Sequence, residues 1–384
     1  MKAPLCHAWM NTLKKIKMSD KLNILVTGVG GPTPRSFVRA VKLVSSEEQA
    51  NYRFVGVDCN PLAYGLYDKS LFDTTYVIPG ADEEEYWPAV NEIIEREDID
   101  GAVVLPETEV LEWAKNRHHL KTAIRVHLPD YKLASALVNK HSLHSHLKDS
   151  SLIPRFNKVN PQDYSYNKIT KKVGEVFWIR SSEGSSGLGS LKIDSESALS
   201  QWVSINKDVS EFIATEYLPG RNMACKMLYF DGELKRTACA ERVKYIMAKI
   251  APSGVTGNTS FGRLINEPEL VQLSEQALES ISSELGTELN GIFTVDFKED
   301  GKGNPKITEI NIRHVAFTSS LAAGGANIPI DTLNAMFSGN GSSMKRVDYT
   351  YDEPLIFLRD VDSEPIVMRT SELFNKNNCG FPVS

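Results

Sequence analysis

The chain has 384 residues, with 43 Lys+Arg against 49 Asp+Glu for a formal charge of −6, and with 41% hydrophobic and 24% charged residues. At ~100–200 residues per domain this length makes two or three domains of ordinary globular composition. The acidic balance excludes a non-specific nucleic-acid backbone binder, and no apolar run approaches the ~20 residues that span a bilayer, so neither nucleic acid nor membrane is an expected partner. Five cysteines, at 6, 59, 225, 239 and 379, form no CxxC pair and no even framework, which points to free thiols in a reducing, cytoplasmic setting.

Residues 1–20 carry Lys14, Lys15 and Lys17 and lack the apolar stretch and cleavage site of a secretory signal. They read as a tail, with Met18 as an alternative start. From Lys21 strands and helices alternate. A strand at 23–27 (NILVT) ends in Gly28-Val29-Gly30-Gly31, and a helix with the stripe Phe37, Ala40, Val41, Val44 follows. Strands at 54–58, 75–78 and 101–105 and a helix at 86–95 continue the pattern. This alternation implies right-handed βαβ units and a parallel sheet, an α/β domain over 21–132.

From 133 onward the character is α+β, with a helix expected at 133–147 and a strand at 176–180 (VFWIR) entering a Gly/Ser loop at 181–189 (SSEGSSGLG). Strands at 190–193 and 211–216 follow, then a hairpin with strands at 224–230 and 234–240 around Asp231-Gly232. A helix opens at Pro268 and closes at Gly286, and two strands, 291–298 and 305–312, flank a Gly-rich turn. Residues 341–384 read as an appended extension with a strand at 353–358.

Several residue groups carry candidate chemistry. Gly28 to Thr33 after a strand, with Asp58 ending the next, has the outline of a dinucleotide fingerprint. The third glycine is absent, and Pro32 and Pro34 remove amides that a pyrophosphate needs, so a tight structural turn is the preferred reading over NAD binding. The 181–189 loop lies between strands; its small residues let amides wrap a polyphosphate, with Arg180 supplying charge, against the alternative of a plain flexible hairpin. Residues 215–220 (TEYLPG) either read a planar base edge or make a connecting turn.

Asp296, Glu309 and Asn311 form the strongest group. Residues 309 and 311 share one strand face, and Asp296 on the antiparallel neighbour reaches the same face. Two carboxylates and an amide oxygen suit Mg²⁺, and Arg313 is in phase as a cation for phosphoryl transfer or an oxyanion. The alternative, a solvated polar face, is disfavoured because Ile310 and Ile312 turn toward a core. His141, His144 and His146 do not share one helix face, and His118 and His119 read as solvated, so zinc is not expected.

Taken in order, Arg180 with its Gly/Ser loop, TEYLPG, and VDF…TEINIRH resemble the ATP-grasp superfamily, especially its carbamoyl-phosphate-synthase-like, carboxylate–amine ligase branch. NILVTGVGG, FVGVDCNPLAYGLYD and DGAVVLPETE resemble its pre-ATP-grasp domain, and the resemblance spans roughly residues 22–335. It implies a parallel-sheet pre-ATP-grasp domain (21–132) followed by a two-lobed ATP-grasp fold (133–340, lobes about 133–212 and 213–340). It also implies Lys140 and Arg180 at the ATP phosphates, with Ser185, Ser186 and Gly187 closing over them. Glu216, Tyr217 and Leu218 would then meet adenine, with Asn222 where a ribose-binding acid is usual. Asp296, Glu309 and Asn311 would be ligands of Mg²⁺ or Mn²⁺, and Arg313 would steady an acyl-phosphate. The implied activity is an ATP-dependent ligase joining a small carboxylate to an amine or similar nucleophile. A non-catalytic ATP-sensing protein is the alternative, an NAD-dependent oxidoreductase a third reading, and a homo-oligomer is left open.

Overall fold

The computed structural model describes residues 21–45, 51–184, 189–337, 341–360 and 366–370. Five parallel strands form the first sheet: β1 (Leu22–Thr27), β2 (Tyr52–Asp58), β3 (Thr74–Val77), β4 (Gly101–Val103) and β5 (Arg125–Val126), in the order β3-β2-β1-β4-β5. Ile24, Leu25 and Val26 of the central strand are fully buried, as a parallel sheet covered on both faces requires. One face meets α1 (Pro32–Val41); the other meets α2 (Tyr86–Arg96) and α3 (Glu107–Asn116). The strand order reverses at β1 and β4, so the loops after them border a crevice at the carboxyl ends of the strands.

Three local expectations are corrected here. Pro32 and Pro34 lie in the first turn of α1 rather than in the preceding loop. There the missing amides have no intrahelical acceptor to lose, and Pro is preorganised for the helix. The helix ends at Val41, leaving Val44 beyond it. The single helix expected over 133–147 is two, α4 (Tyr131–Val138) and α5 (Lys140–His146). Between them Asn139 is extended, and its Oδ1 accepts the Ser142 amide at 2.9 Å, which caps α5 and starts it at Lys140.

The second sheet is antiparallel: β6 (Phe156–Val159), β7 (Phe177–Ser181), β8 (Leu191–Ile193) and β9 (Phe212–Glu216), in the order β6-β9-β7-β8. It carries α6 (Tyr166–Val173) and α7 (Glu196–Ile205), two helices the sequence reading did not mark, each opened by a capping serine, Ser165 and Ser195. Its core, which includes Val159, Ile169, Phe177, Ile179 and Phe212, is separate from every other apolar cluster.

The third sheet comprises β10 (Asn222–Phe230), β11 (Glu233–Tyr245), β12 (Thr259–Ile265), β13 (Gly291–Glu299), β14 (Pro305–Asn311), β15 (Val347–Asp348), β16 (Leu355–Leu358) and β17 (Ile366–Arg369). Its order is β14-β13-β10-β11-β12-β16-β17, with β15 beside β11. The helix α8 (Pro268–Leu285) packs on one face, while α9 (Thr318–Ala323) and α10 (Ile328–Phe337) follow β14. Trp113, Leu133, Leu143, Phe293, Ile310 and Ile312 belong to one cluster, so the first and third sheets share a core that the second does not. Among the described residues no helix is long and apolar enough to cross a membrane.

Candidate active site

Antiparallel pairing of β13 with β14 sets Asp296 opposite Glu309 and Thr294 opposite Asn311, while Ile310 and Ile312 turn into the shared core. Asp296 is 6% exposed. Its Oδ2 accepts from Arg242 Nη1 at 3.0 Å and from Asn311 Nδ2 at 3.3 Å, while its Oδ1 is buried with no hydrogen-bond partner. Burial pushes the Asp296 carboxyl above the usual carboxylate range, and the neighbouring Glu309 charge adds to this. Burial acts the same way on Glu309, but the Lys140 ammonium and the Arg180 guanidinium outweigh it and hold that carboxyl low. The pair therefore carries less negative charge than two free carboxylates would. An orphaned carboxylate oxygen and a set of hard oxygen donors fit Mg²⁺ or Mn²⁺, which would let both groups ionise.

Cations reach this pair from elsewhere in the chain. Arg180, on β7 of the second sheet, places Nη1 3.4 Å from Glu309 Oε2, and its other terminal nitrogen donates to the Thr308 carbonyl. Lys140 opens α5; its amide donates to the Ser182 carbonyl at 2.9 Å and its Nζ to the Gly184 carbonyl at 2.7 Å. It thus holds the leading end of the Gly/Ser loop, whose Ser185, Ser186 and Gly187 lie outside the described residues. Burial, reinforced by Arg180 and opposed by Glu309, lowers the Lys140 ammonium from its ordinary value.

These groups border a cavity of about 240 Å³ between the second and third sheets. Of the residues named from sequence, the structure brings Lys140, Arg180, Glu216, Tyr217, Leu218, Asn222, Asp296 and Glu309 around it. Asn311 touches Asp296 but does not line the cavity, and Arg313 lies past the end of β14, where its Nη1 donates to the His314 carbonyl at 3.0 Å. Glu216 gives its carboxylate to Arg155, accepting from the amide at 3.1 Å and from Nε at 2.8 Å. Its backbone neighbours Tyr217 and Leu218 thus border the cavity without that side chain's help. Asn222 Oδ1 faces Lys298 Nζ at 3.4 Å.

Two charged lining residues escaped the sequence reading. Arg242 is 54 positions from Asp296, and only the β10–β11–β13 register brings them together. Lys298 follows Asp296 on the same face of β13, and its period-two spacing was available as a signal.

The glycine turn after β1 is structural. Asp58 accepts the Gly30 amide at 2.8 Å and the Asn60 amide at 2.9 Å, so the carboxylate holds its own loop. The histidines of α5 diverge: His144 is buried with Nδ1 2.7 Å from the Lys140 carbonyl, His146 meets Glu284, and His141 lies near Glu211. Among the described residues no group of three or more His, Cys, Asp or Glu side chains is placed to hold a metal.

Neither a protein-family model nor a curated protein matches this sequence. Solved structures do match the fold. N5-carboxyaminoimidazole synthetase from Staphylococcus aureus, complexed with ADP, gives a TM-score of 0.65 at 13% identity, over 89% of this chain and 83% of that one. The L-amino acid ligase from Bacillus licheniformis gives 0.62 at 16% identity, over 88% and 80%. The biotin carboxylase domain dimer of the Hydrogenobacter thermophilus 2-oxoglutarate carboxylase, in complex with MgADP, ADP and bicarbonate, gives 0.61 at 15%, over 88% and 74%. At these identities the likeness is one of fold. The chain has the ATP-grasp fold, a parallel-sheet pre-ATP-grasp domain followed by two lobes, as the resemblance of its motifs implied.

Proposed function

We propose that this protein is an ATP- and Mg²⁺-dependent ligase that activates a small carboxylate as an acyl-phosphate and joins it to an amine or similar nucleophile. One observation carries this reading. The paired acids Asp296 and Glu309 on one lobe face Arg180 of the other lobe across a cavity that Lys140 also borders and that residues 216–218 wall. The ADP and MgADP held by two proteins of this fold support it.

Asp296, Glu309 and Asn311 are the residues that would hold Mg²⁺. When bound, the ion supplies charge neutralisation of the phosphates. Lys140 and Arg180 contribute the remaining positive charge, Lys140 by exchanging the Gly184 carbonyl for a phosphate oxygen. Asn222 offers a neutral amide to the ribose hydroxyls. A carboxylate oxygen of the substrate attacks the γ-phosphorus and ADP leaves; the amine nitrogen then attacks the acyl carbon, phosphate leaves, and the nitrogen loses a proton. Arg313 steadies the acyl-phosphate in this scheme. The second-sheet lobe, with a core of its own, can close as a unit over the nucleotide and exclude water. This reading includes a reducing, cytoplasmic setting, as the cysteine usage suggests.

The test is ADP and phosphate release with MgATP across carboxylates paired with amines. Release that needs both substrates and disappears in Glu309→Ala is the expected outcome. MgATP binding with no turnover on any pair sinks the ligase reading in favour of the non-catalytic one.

A further inference from the structure

Cys225 of β10 and Cys239 of β11 are directly opposed in the antiparallel ladder, and both are free, buried thiols that take no part in the scheme above. Pairing runs without a break from Met223 opposite Glu241 to Leu228 opposite Arg236, and the bulge of this hairpin comes only at Leu228–Tyr229, nearer the turn. Opposed residues on antiparallel strands have Cα atoms about 4.5 or 5.5 Å apart, according to the kind of pair they make. A disulfide needs roughly 4.4–6.8 Å. The ladder by itself therefore holds the two cysteines at bonding range, with both side chains leaving the same face of the sheet.

That face is turned away from the acid pair. Asp296 stands opposite Ala224, whereas Cys225 and Cys239 belong, with Leu270 and Leu278 of α8, to the core on the other side of the sheet. Cys239 Sγ lies 3.8 Å from the Glu267 carbonyl, directly before α8. Cys239 is 4% exposed and Cys225 fully buried. The Cys239 thiol is hydrogen-bonded to Cys225, and this contact together with burial pushes it up. The two sulfurs thus already touch. A buried, protonated thiol reacts slowly, so the pair is closed to bulky thiol reagents and open to an oxidant little larger than water.

We propose that Cys225 and Cys239 form an oxidisable dithiol site, which a small peroxide converts to a disulfide tying β10 to β11 inside the folded protein. The site is independent of the ligase reading. Cys239, the one with exposed surface, is the sulfur that peroxide meets first. As its thiolate it attacks one peroxide oxygen; the O–O bond breaks, a sulfenic acid forms, and the departing hydroxide takes up the proton shed by the thiol. The Cys225 sulfur then attacks the sulfenic sulfur, the S–O bond breaks, and a second water leaves with the Cys225 proton as the S–S bond forms. Two thiols lose two electrons and two protons, and one hydrogen peroxide becomes two waters. A dithiol reductant reverses the step by exchange. β10 also carries Asn222 and β11 Arg242, each three positions from its cysteine, so the link fixes the two strands that bring these side chains to the cavity described above.

Hydrogen peroxide added to the native full chain tests this, followed by alkylation of the remaining thiols in urea and non-reducing digestion with trypsin. Cleavage after Arg221, Lys226, Arg236 and Arg242 leaves Cys225 and Cys239 on separate peptides, 222–226 and 237–242. Mass spectrometry should find these two joined, two hydrogens lighter than their sum, and separate again after dithiothreitol. Cys225→Ala should abolish the joined species, and Cys239→Ala serves if that variant does not fold. The oxidised chain should also melt above the reduced one, because the link closes a loop in the unfolded chain. The same peroxide treatment should give Cys225→Ala no such rise. Recovery of both cysteines alkylated after peroxide, or of either as sulfinic or sulfonic acid in place of the link, overturns the proposal. So does a link that forms only when the chain is first unfolded in urea, or one that lowers the melting temperature.

Discussion

Arg180 and Glu309 meet across the cleft with Nη1 3.4 Å from Oε2, although one belongs to the second sheet and the other to the third. The contact sets a cation from one lobe against one of the two acids of the other. Arg180→Met and Glu309→Gln should each lower MgATP turnover by about 10²-fold. They should differ in one respect: the Mg²⁺ concentration for half-maximal rate rises for Glu309→Gln and stays put for Arg180→Met. ADP release measured against Mg²⁺ separates them, and equal Mg²⁺ curves refute the ligand assignment.

Arg242 and Asp296 form a pair in which both side chains are about nine-tenths buried, with Nη1 3.0 Å from Oδ2. Removing the cation leaves a buried acid without its counter-charge. Arg242→Met should destabilise the metal-free protein by about 3 kcal/mol at pH 8 and by less at pH 6, where the carboxyl takes a proton. Added Mg²⁺ should recover part of the loss by binding the native state. Thermal melts in EDTA and in Mg²⁺ check this; a variant with unchanged melting in EDTA contradicts it.

Glu109 accepts a hydrogen bond from the Tyr86 hydroxyl at 2.5 Å, and burial raises its carboxyl to about 7. An acid whose folded value lies above its unfolded one holds its proton longer in the native state. Its contribution to stability is therefore present below the unfolded value and is lost as pH rises through about 7. Glu109→Gln should remove on the order of 2 kcal/mol of that decline. Urea midpoints between acid and neutral pH report it, and parallel curves for the two proteins exclude it.

Phe177 lies in the core that belongs to the second sheet alone, fully buried between β7 and α6. Phe177→Ala should cost about 3–5 kcal/mol. Because the core is separate, amide exchange should accelerate over the second sheet and its helices while β1, β2 and β4 keep their protection. Uniform acceleration across all three sheets counts against an independent lobe.

Gly28 has φ of +66°, and a Cβ there would sit 2.2 Å from Pro106 Cγ. Gly28→Ala combines a strained backbone with a clash against the residue that precedes α3, and should destabilise by about 2 kcal/mol or more. The same change at Gly301, which has open space around it, should cost far less. Paired melts of the two variants test the comparison.

Much of the fold was legible because its signals are local. Period-two and period-3.6 apolar patterns marked β1, β2, α2, α8, β13 and β14 close to their observed bounds. The break at Asn139 was missed because an apolar stripe runs through it, and only the cap geometry shows a second helix beginning there. The short helices α6 and α7 were missed because their stripes are brief, although Ser165 and Ser195 stood at their starts.

The length and mild negative charge left two or three domains and argued against a nucleic-acid backbone partner, and the alternation along β14 already put Glu309 and Asn311 on one face with Ile310 and Ile312 on the other. Those are properties of a single segment, and a chain carries them before it folds. The tertiary structure alone decided that Arg242 from β11 neutralises Asp296 and that Arg180 crosses from another sheet to Glu309. Register between strands and docking between sheets set those meetings, and both are products of packing over long sequence separations rather than of any local spacing.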